Sequence, residues 1–89
     1  MRPTGKTYKT LKGEVDNLQF FVLRKLAKVK NAGDVDHLKR ELDRFQSEFK
    51  SECYSSEMLT SYQSEKLIQD SFTKWIQLKG FLDEVKRIL

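Results

Sequence analysis

The chain has almost nothing that interrupts a helix: one proline, Pro3, near its start, and four glycines in 89 residues. Long stretches are therefore free of the residues that most disfavour helical backbone. One cysteine, Cys53, excludes an internal disulfide and fits a reducing compartment. No apolar run approaches the roughly 18 residues that a bilayer span needs, so no membrane segment is expected. The first twelve residues carry Arg2, Lys6, Lys9 and Lys12 with no apolar stretch directly behind them, which does not read as a secretory leader. An intracellular protein, cytoplasmic or nuclear, is the expectation. Phosphate-loop glycine motifs are missing too, since Gly5-Lys6-Thr7 stands without the rest of a P-loop.

Charged residues make up 34% of the chain and hydrophobic residues 38%, enough apolar content to fold. The net charge of +4 is unevenly spread. Residues 1–30 hold eight Lys/Arg against Glu14 and Asp16, whereas residues 31–69 hold five basic against eight acidic side chains. A basic head before an acidic middle suits an anionic partner at the head, and equally suits helices that neutralise one another within a bundle.

Residues 1–9 are polar, basic and aperiodic, and read as a flexible basic tail. Residues 10–89 read as a single helical domain. Leu11, Val15, Leu18, Val22, Leu26 and Val29 recur at steps of four and three and lie on one side of a helix. Asn31-Ala32-Gly33 ends that pattern, with Gly33 suited to a left-handed closing residue, so a first helix is predicted over about 10–31. Asp34 or Asp36 is expected to cap the next helix. Val35, Leu38, Leu42, Phe45, Phe49 and Cys53 then form a narrow stripe, predicting a second helix over 35–53. Beyond Tyr54-Ser55-Ser56 the apolar phase slips between Met58, Leu59 and Tyr62 and the later Ile68, Phe72, Trp75 and Leu82. A break near Gln63–Glu65 is expected, with a third helix over 65–88 and room for a short extra helix at 56–63. The fold class is all-α, an antiparallel three-helix bundle with Trp75, Phe72, Ile76 and Leu82 at the centre of the core.

Catalysis has little to work with. His37 and Cys53 fall at opposite ends of the second helix, about 24 Å apart by helix rise, so no base stands beside the thiol. Cys53 continues the buried stripe and reads as an inert core thiol. No cofactor and no small-molecule substrate is implied. Asp34, Asp36 and His37 are close enough in sequence to suggest a metal site, but acids in a first helical turn are the ordinary capping and dipole pattern. No metal is expected.

Two ridges depart from simple core patterning. On the first helix Phe20 lies about 160° from the face centred on Val22, with Leu23 and Ala27 beside it. On the third helix Leu78, Phe81, Val85 and Ile88 form a row displaced from Trp75 and Leu82, next to Gly80, which would permit close backbone approach. Such rows arise when a helix touches two neighbours in a compact bundle, or when it presents a surface to a partner. The second reading makes the chain a non-catalytic interaction or assembly module that docks a protein partner or itself through Phe20, Leu23, Ala27, Leu78, Phe81, Val85 and Ile88. The alternative is a nucleic-acid-associated protein holding phosphates with Arg2, Lys6, Lys9, Lys12, Arg24, Lys25 and Lys28. Zinc-finger spacing, RNP-type motifs and a basic region leading into a zipper are all missing from the sequence.

Overall fold

A computed structural model describes residues 4–89. Three helices, α1 (Tyr8–Leu26), α2 (Ala32–Ser55) and α3 (Ser61–Arg87), account for 81% of it, and every pair of helices is in contact. The all-α three-helix bundle expected from the periodicity is what forms. It is elongated, 51 × 19 × 17 Å.

The core divides into two clusters stacked along the long axis. One, the upper cluster, gathers Leu18, Val22, Val35, Leu38, Leu42, Leu78 and Leu82, and the other, the lower cluster, gathers Leu11, Val15, Phe49, Cys53 and Leu67. Phe45 packs against both. The stripes on α1 and α2 are those read from the sequence, because both keep steps of three and four without a slip.

Helix ends depart from the expectation: α2 runs from Ala32 to Ser55 and not over 35–53, and side-chain caps start α2 and α3 earlier than the periodicity suggests. α1 stops at Leu26, and residues 27–31 turn to α2. The apparent period runs on to Val29 because Val29 packs against the upper cluster from that turn. Asn31, not Asp34 or Asp36, caps α2: its side chain accepts from the Asp34 N–H at 3.0 Å, and Asp34 in return accepts from the Lys30 N–H. Gly33 is an ordinary helical residue of α2 and is not the left-handed closure. The break near Gln63–Glu65 and the extra helix at 56–63 do not occur. Residues 56–60 connect α2 to α3, and Thr60 with Gln63 makes a reciprocal capping box that starts α3 at Ser61.

Trp75, Phe72 and Ile76 do not occupy the core centre. The buried row of α3 is Leu67, Ser71, Leu78 and Leu82. The small Ser71, fully buried with its hydroxyl donating to the Ile68 carbonyl, lies in the row where an aromatic was expected. Trp75 instead lies half-buried over the edge of the upper cluster, stacked on Phe72, with its indole N–H donating to Asp43 at 2.9 Å. Phe72 and Ile76 are half exposed.

Where the sequence reads a free tail, residues 4–6 cross the α2–α3 connection and α1 begins at Tyr8, capped by Thr7. The Glu57 N–H donates to the Thr4 carbonyl at 2.8 Å, and the buried Ser56 hydroxyl donates to the Lys6 carbonyl at 2.7 Å. Gly5 adopts φ +104°, and a Cβ there would sit 2.6 Å from the Ser56 Cα, so only glycine passes this point without displacement. Lys6 bridges Glu14 of α1 and Glu52 of α2 at 2.9 and 3.0 Å, and hydrogen bonds to those carboxylates raise its pKa above the ordinary lysine value.

Candidate functional site

The sequence-derived binding residues separate once the helices are packed. Leu78 is a core residue, and Val85 is half-buried against the upper cluster. Both belong to the fold and leave the candidate surface. Phe20, at 64% exposure, and Ile88, at 83%, stand out from it, with Leu23 and Phe81 each more than two-fifths exposed and Ala27 exposed beside them.

Helical rows connect these remaining five residues to the walls of one groove. The groove between α1 and α3 is lined by Lys12, Val15 and Asp16 on one wall and by Leu67, Asp70, Thr73, Lys74 and Gln77 on the other. Continuing the Asp16 row of α1 by helical steps of four and three reaches Phe20, Leu23 and Ala27. The Asp70 row of α3 continues through Lys74 and Gln77 to Phe81 and then Ile88. Since α1 and α3 run in the same direction on either side of α2, the polar first half of the seam gives way to an apolar second half. The two ridges seen separately in the sequence thus continue the two walls of one groove. Gly80 contributes no close approach within the chain, as nothing lies within 4 Å of a Cβ placed there.

A second concave feature lies on the other side of α1. The α1–α2 groove, about 350 Å³, has an apolar floor of Leu18, Phe21 and Phe45. Glu14, Glu41, Glu48, Asn17 and Arg44 surround it. Its exposed aromatic, Phe21, is masked in the sequence by its neighbour Phe20, and its acids look like an ordinary solvated helix face. The only available signal is the run Glu41, Arg44, Glu48, which keeps charges on one row beside Phe45. Tyr54, Met58 and Tyr62, which in the sequence mark only the connection and the slip of apolar phase, are exposed around the α2–α3 connection.

The basic residues do not form one patch. Lys6 is held by Glu14 and Glu52, and Lys12 leans over the Tyr8 ring at 6.0 Å. Lys9 is exposed on the first turn of α1, and Arg2 lies outside the described residues. Arg24 and Lys25 occupy the opposite end of α1, about 18 Å from Lys12 by helix rise, with Lys28 just beyond. Lys25 rides over Phe21 at 5.6 Å. Among the described residues, no carboxylate comes within 4 Å of the Arg24, Lys25 or Lys28 cations.

The residues with chemical potential are each otherwise engaged. Cys53 is buried, and desolvation, with Glu52 and Glu14 nearby, pushes its thiol up to about 11, so the reactive thiolate is scarce near neutral pH. His37 faces Glu41 at 3.1 Å, Asp36 pairs with Lys86 at 2.8 Å, and Asp34 completes the α2 cap. The acids and imidazole considered for a metal therefore point to three different partners. No helix of the described residues is long and apolar enough to cross a membrane. Comparison of the chain with protein-family models, curated proteins and solved structures gave no match in any of the three.

Proposed function

We propose that this chain is a non-catalytic helical docking module whose partner is a protein surface laid along the apolar half of the α1–α3 seam. The observation that carries the reading is Phe20. Leu11, Val15, Leu18 and Val22 already give α1 a complete buried face, yet Phe20 stands in solvent at 64% exposure, in line with Leu23 and Ala27. An isolated fold gains little from an aromatic ring in water, whereas at the centre of a contact such a ring is a common anchor. Phe81 and Ile88 are exposed on α3, on the row that continues the facing wall of the groove, and exposed apolar side chains of this kind mark association sites when they gather.

The test is a split between stability and association. Phe20→Ser leaves the melting temperature nearly unchanged and weakens association about tenfold or more, the loss of roughly 1.4 kcal/mol or more at a contact centre. A large fall in melting temperature with association intact would assign Phe20 to the fold and remove the proposal.

A nucleic-acid role draws support from Arg24, Lys25 and Lys28, which have no carboxylate within 4 Å among the described residues. It is the weaker reading because Lys6 is committed to Glu14 and Glu52, and because the remaining cations fall into two separate groups. Titration with DNA and RNA at low salt decides it: binding that steepens as salt falls supports this role, and no measurable binding removes it.

A further inference from the structure

We infer that residues 4–7 are a releasable strap, and that its release lets the first half of α1 lift from the lower cluster while the upper cluster stays folded. The inference stands apart from the docking role proposed for Phe20. It begins from how unevenly the three helices are joined. Side chains link α2 to α3 along their length: Ser64 donates to the Cys53 carbonyl at 3.1 Å, the Trp75 indole to Asp43 and Lys86 to Asp36. Among the described residues, no ion pair joins α1 directly to either of the other helices. The charged link of α1 to α2 runs instead through Lys6, which reaches both Glu14 and Glu52.

The strap is built as a latch. Its backbone is held by the end of α2 and the connection, the Lys6 carbonyl accepting from the Ser56 hydroxyl and the Thr4 carbonyl from the Glu57 N–H. The buried Ser56 oxygen also accepts from the Met58 N–H at 3.2 Å, so one hydroxyl fixes both the strap and the turn beside it. Thr7 then caps α1, which passes any movement of the strap into the first helical turn. Each fastening is weak by itself. Lys6, Glu14 and Glu52 keep 42%, 32% and 38% of their side chains exposed, so water and salt screen both ion pairs.

The turns that follow carry Leu11 and Val15, the buried contribution of α1 to the lower cluster, against Phe49, Cys53 and Leu67. The second half of α1 is secured separately, by Leu18 and Val22 in the upper cluster and by the turn to α2. A helix end held by a few screened contacts opens at a lower cost than the whole domain. Lifting it bares Phe49 and Leu67, and it gives solvent a path to Cys53. As the one cysteine of the chain, and fully buried, Cys53 reports the opening.

Alkylation of Cys53 by iodoacetamide, a neutral reagent, provides the test, beside native-state hydrogen exchange and chemical denaturation. The native chain is expected to be alkylated faster than global unfolding allows, and faster still as salt rises. Lys6→Met keeps the stem without the charge and is expected to speed alkylation about three- to tenfold, as two exposed ion pairs are lost. Lys6→Arg is expected to restore the native rate. Ser56→Ala, which removes the hydroxyl, is expected to speed alkylation about fivefold. In Lys6→Met, exchange accelerates at the Gly13–Val15 amides and stays native at Val22 and Leu82. Lys86→Met, which removes an ion pair beside the upper cluster, leaves alkylation as slow as in the native chain.

Alkylation that keeps pace with global unfolding in every variant overturns the inference, because the lower cluster then opens only with the whole chain. Unchanged alkylation and unchanged Gly13–Val15 exchange in Lys6→Met would show that the strap latches nothing. Exchange accelerated equally at Val15, Val22 and Leu82 would make Lys6 a prop of the whole bundle. If the variants fail to fold, the native chain decides alone: an alkylation rate indifferent to salt ends the inference. None of these outcomes bears on Phe20.

Discussion

The two seams that α2 makes with its neighbours are built differently. Along the α2–α3 seam, Asp36 meets Lys86, Lys39 meets Asp83 and Asp43 meets Lys79, while Asp43 also accepts from the Trp75 indole. Polar contacts therefore follow that seam over its upper half. The α1–α2 seam has no such ladder. Its polar ties are Lys6 between Glu14 and Glu52 at one end and the short 27–31 turn with its Asn31 cap at the other, and between them the outer edge of the seam holds the Phe21 groove. The charge imbalance of the sequence is thus only partly resolved within the molecule: α3 neutralises the acids on one side of α2, while those on the other side face a groove. A bundle whose polar contacts line one seam and tie only the ends of the other keeps its fold through the shared core while leaving concave surface free.

The sharpest way to break this comparison is to remove one apolar side chain from each side. Leu82, fully buried in the upper cluster, should cost about 2–5 kcal/mol as Leu82→Ala, from lost contacts and the cavity left behind. Phe21→Ala on the groove wall should cost less than half as much, because Phe21 is already 38% exposed and its removal opens no enclosed space. Equal losses in chemical denaturation would mean that the groove is as much a part of the core as the α2–α3 side.

The end tie can be loosened next. Gly5→Ala places a Cβ against the Ser56 backbone at a positive φ and should destabilise the chain by about 1–2 kcal/mol. Faster hydrogen exchange at the Glu57 amide, which donates to the Thr4 carbonyl, would report release of the segment itself. An unchanged Glu57 amide would show that residues 4–6 do not hold the end of the seam.

The smallest effect concerns the ion pairs. Hydrogen bonding from Lys86 lowers the pKa of Asp36, and hydrogen bonding from Lys39 lowers that of Asp83, both below the ordinary 3.8. With folded-state values below the unfolded ones, their stabilising contribution is present above pH 3.8 and is lost as pH falls through the lowered values. Asp36→Asn with Asp83→Asn should therefore flatten the acid limb of a stability-against-pH curve while leaving the groove unaltered. The effect is small because these groups are exposed and water screens them. An acid limb of undiminished slope would show that the ladder adds no stability to the α2–α3 seam.

Periodicity alone determined that the chain is three helices, and determined the buried stripes of α1 and α2. The steps Leu11–Val15–Leu18–Val22 and Val35–Leu38–Leu42 can be buried together only on a helix. The exposure of Phe20 was legible for the same reason, since no helix can turn Phe20 and Val22 to one neighbour. Helix ends were less legible because they depend on which polar side chain closes the backbone, and Asn31 and Thr60 compete on paper with several equally suitable residues. Tertiary packing alone decided the rest. Ser71 lies in the buried row and Trp75 at its edge because helix approach selects a residue by size, which a hydrophobic pattern does not weigh. Leu78 and Phe81 read as one ridge, yet three residues turn a helix through about 300°, and the position of α1 places one in the core and the other on the seam. The groove is the clearest case: Phe21, Phe45 and Glu48 carry no shared signature along the chain, and they become one surface only because α1 and α2 pack side by side.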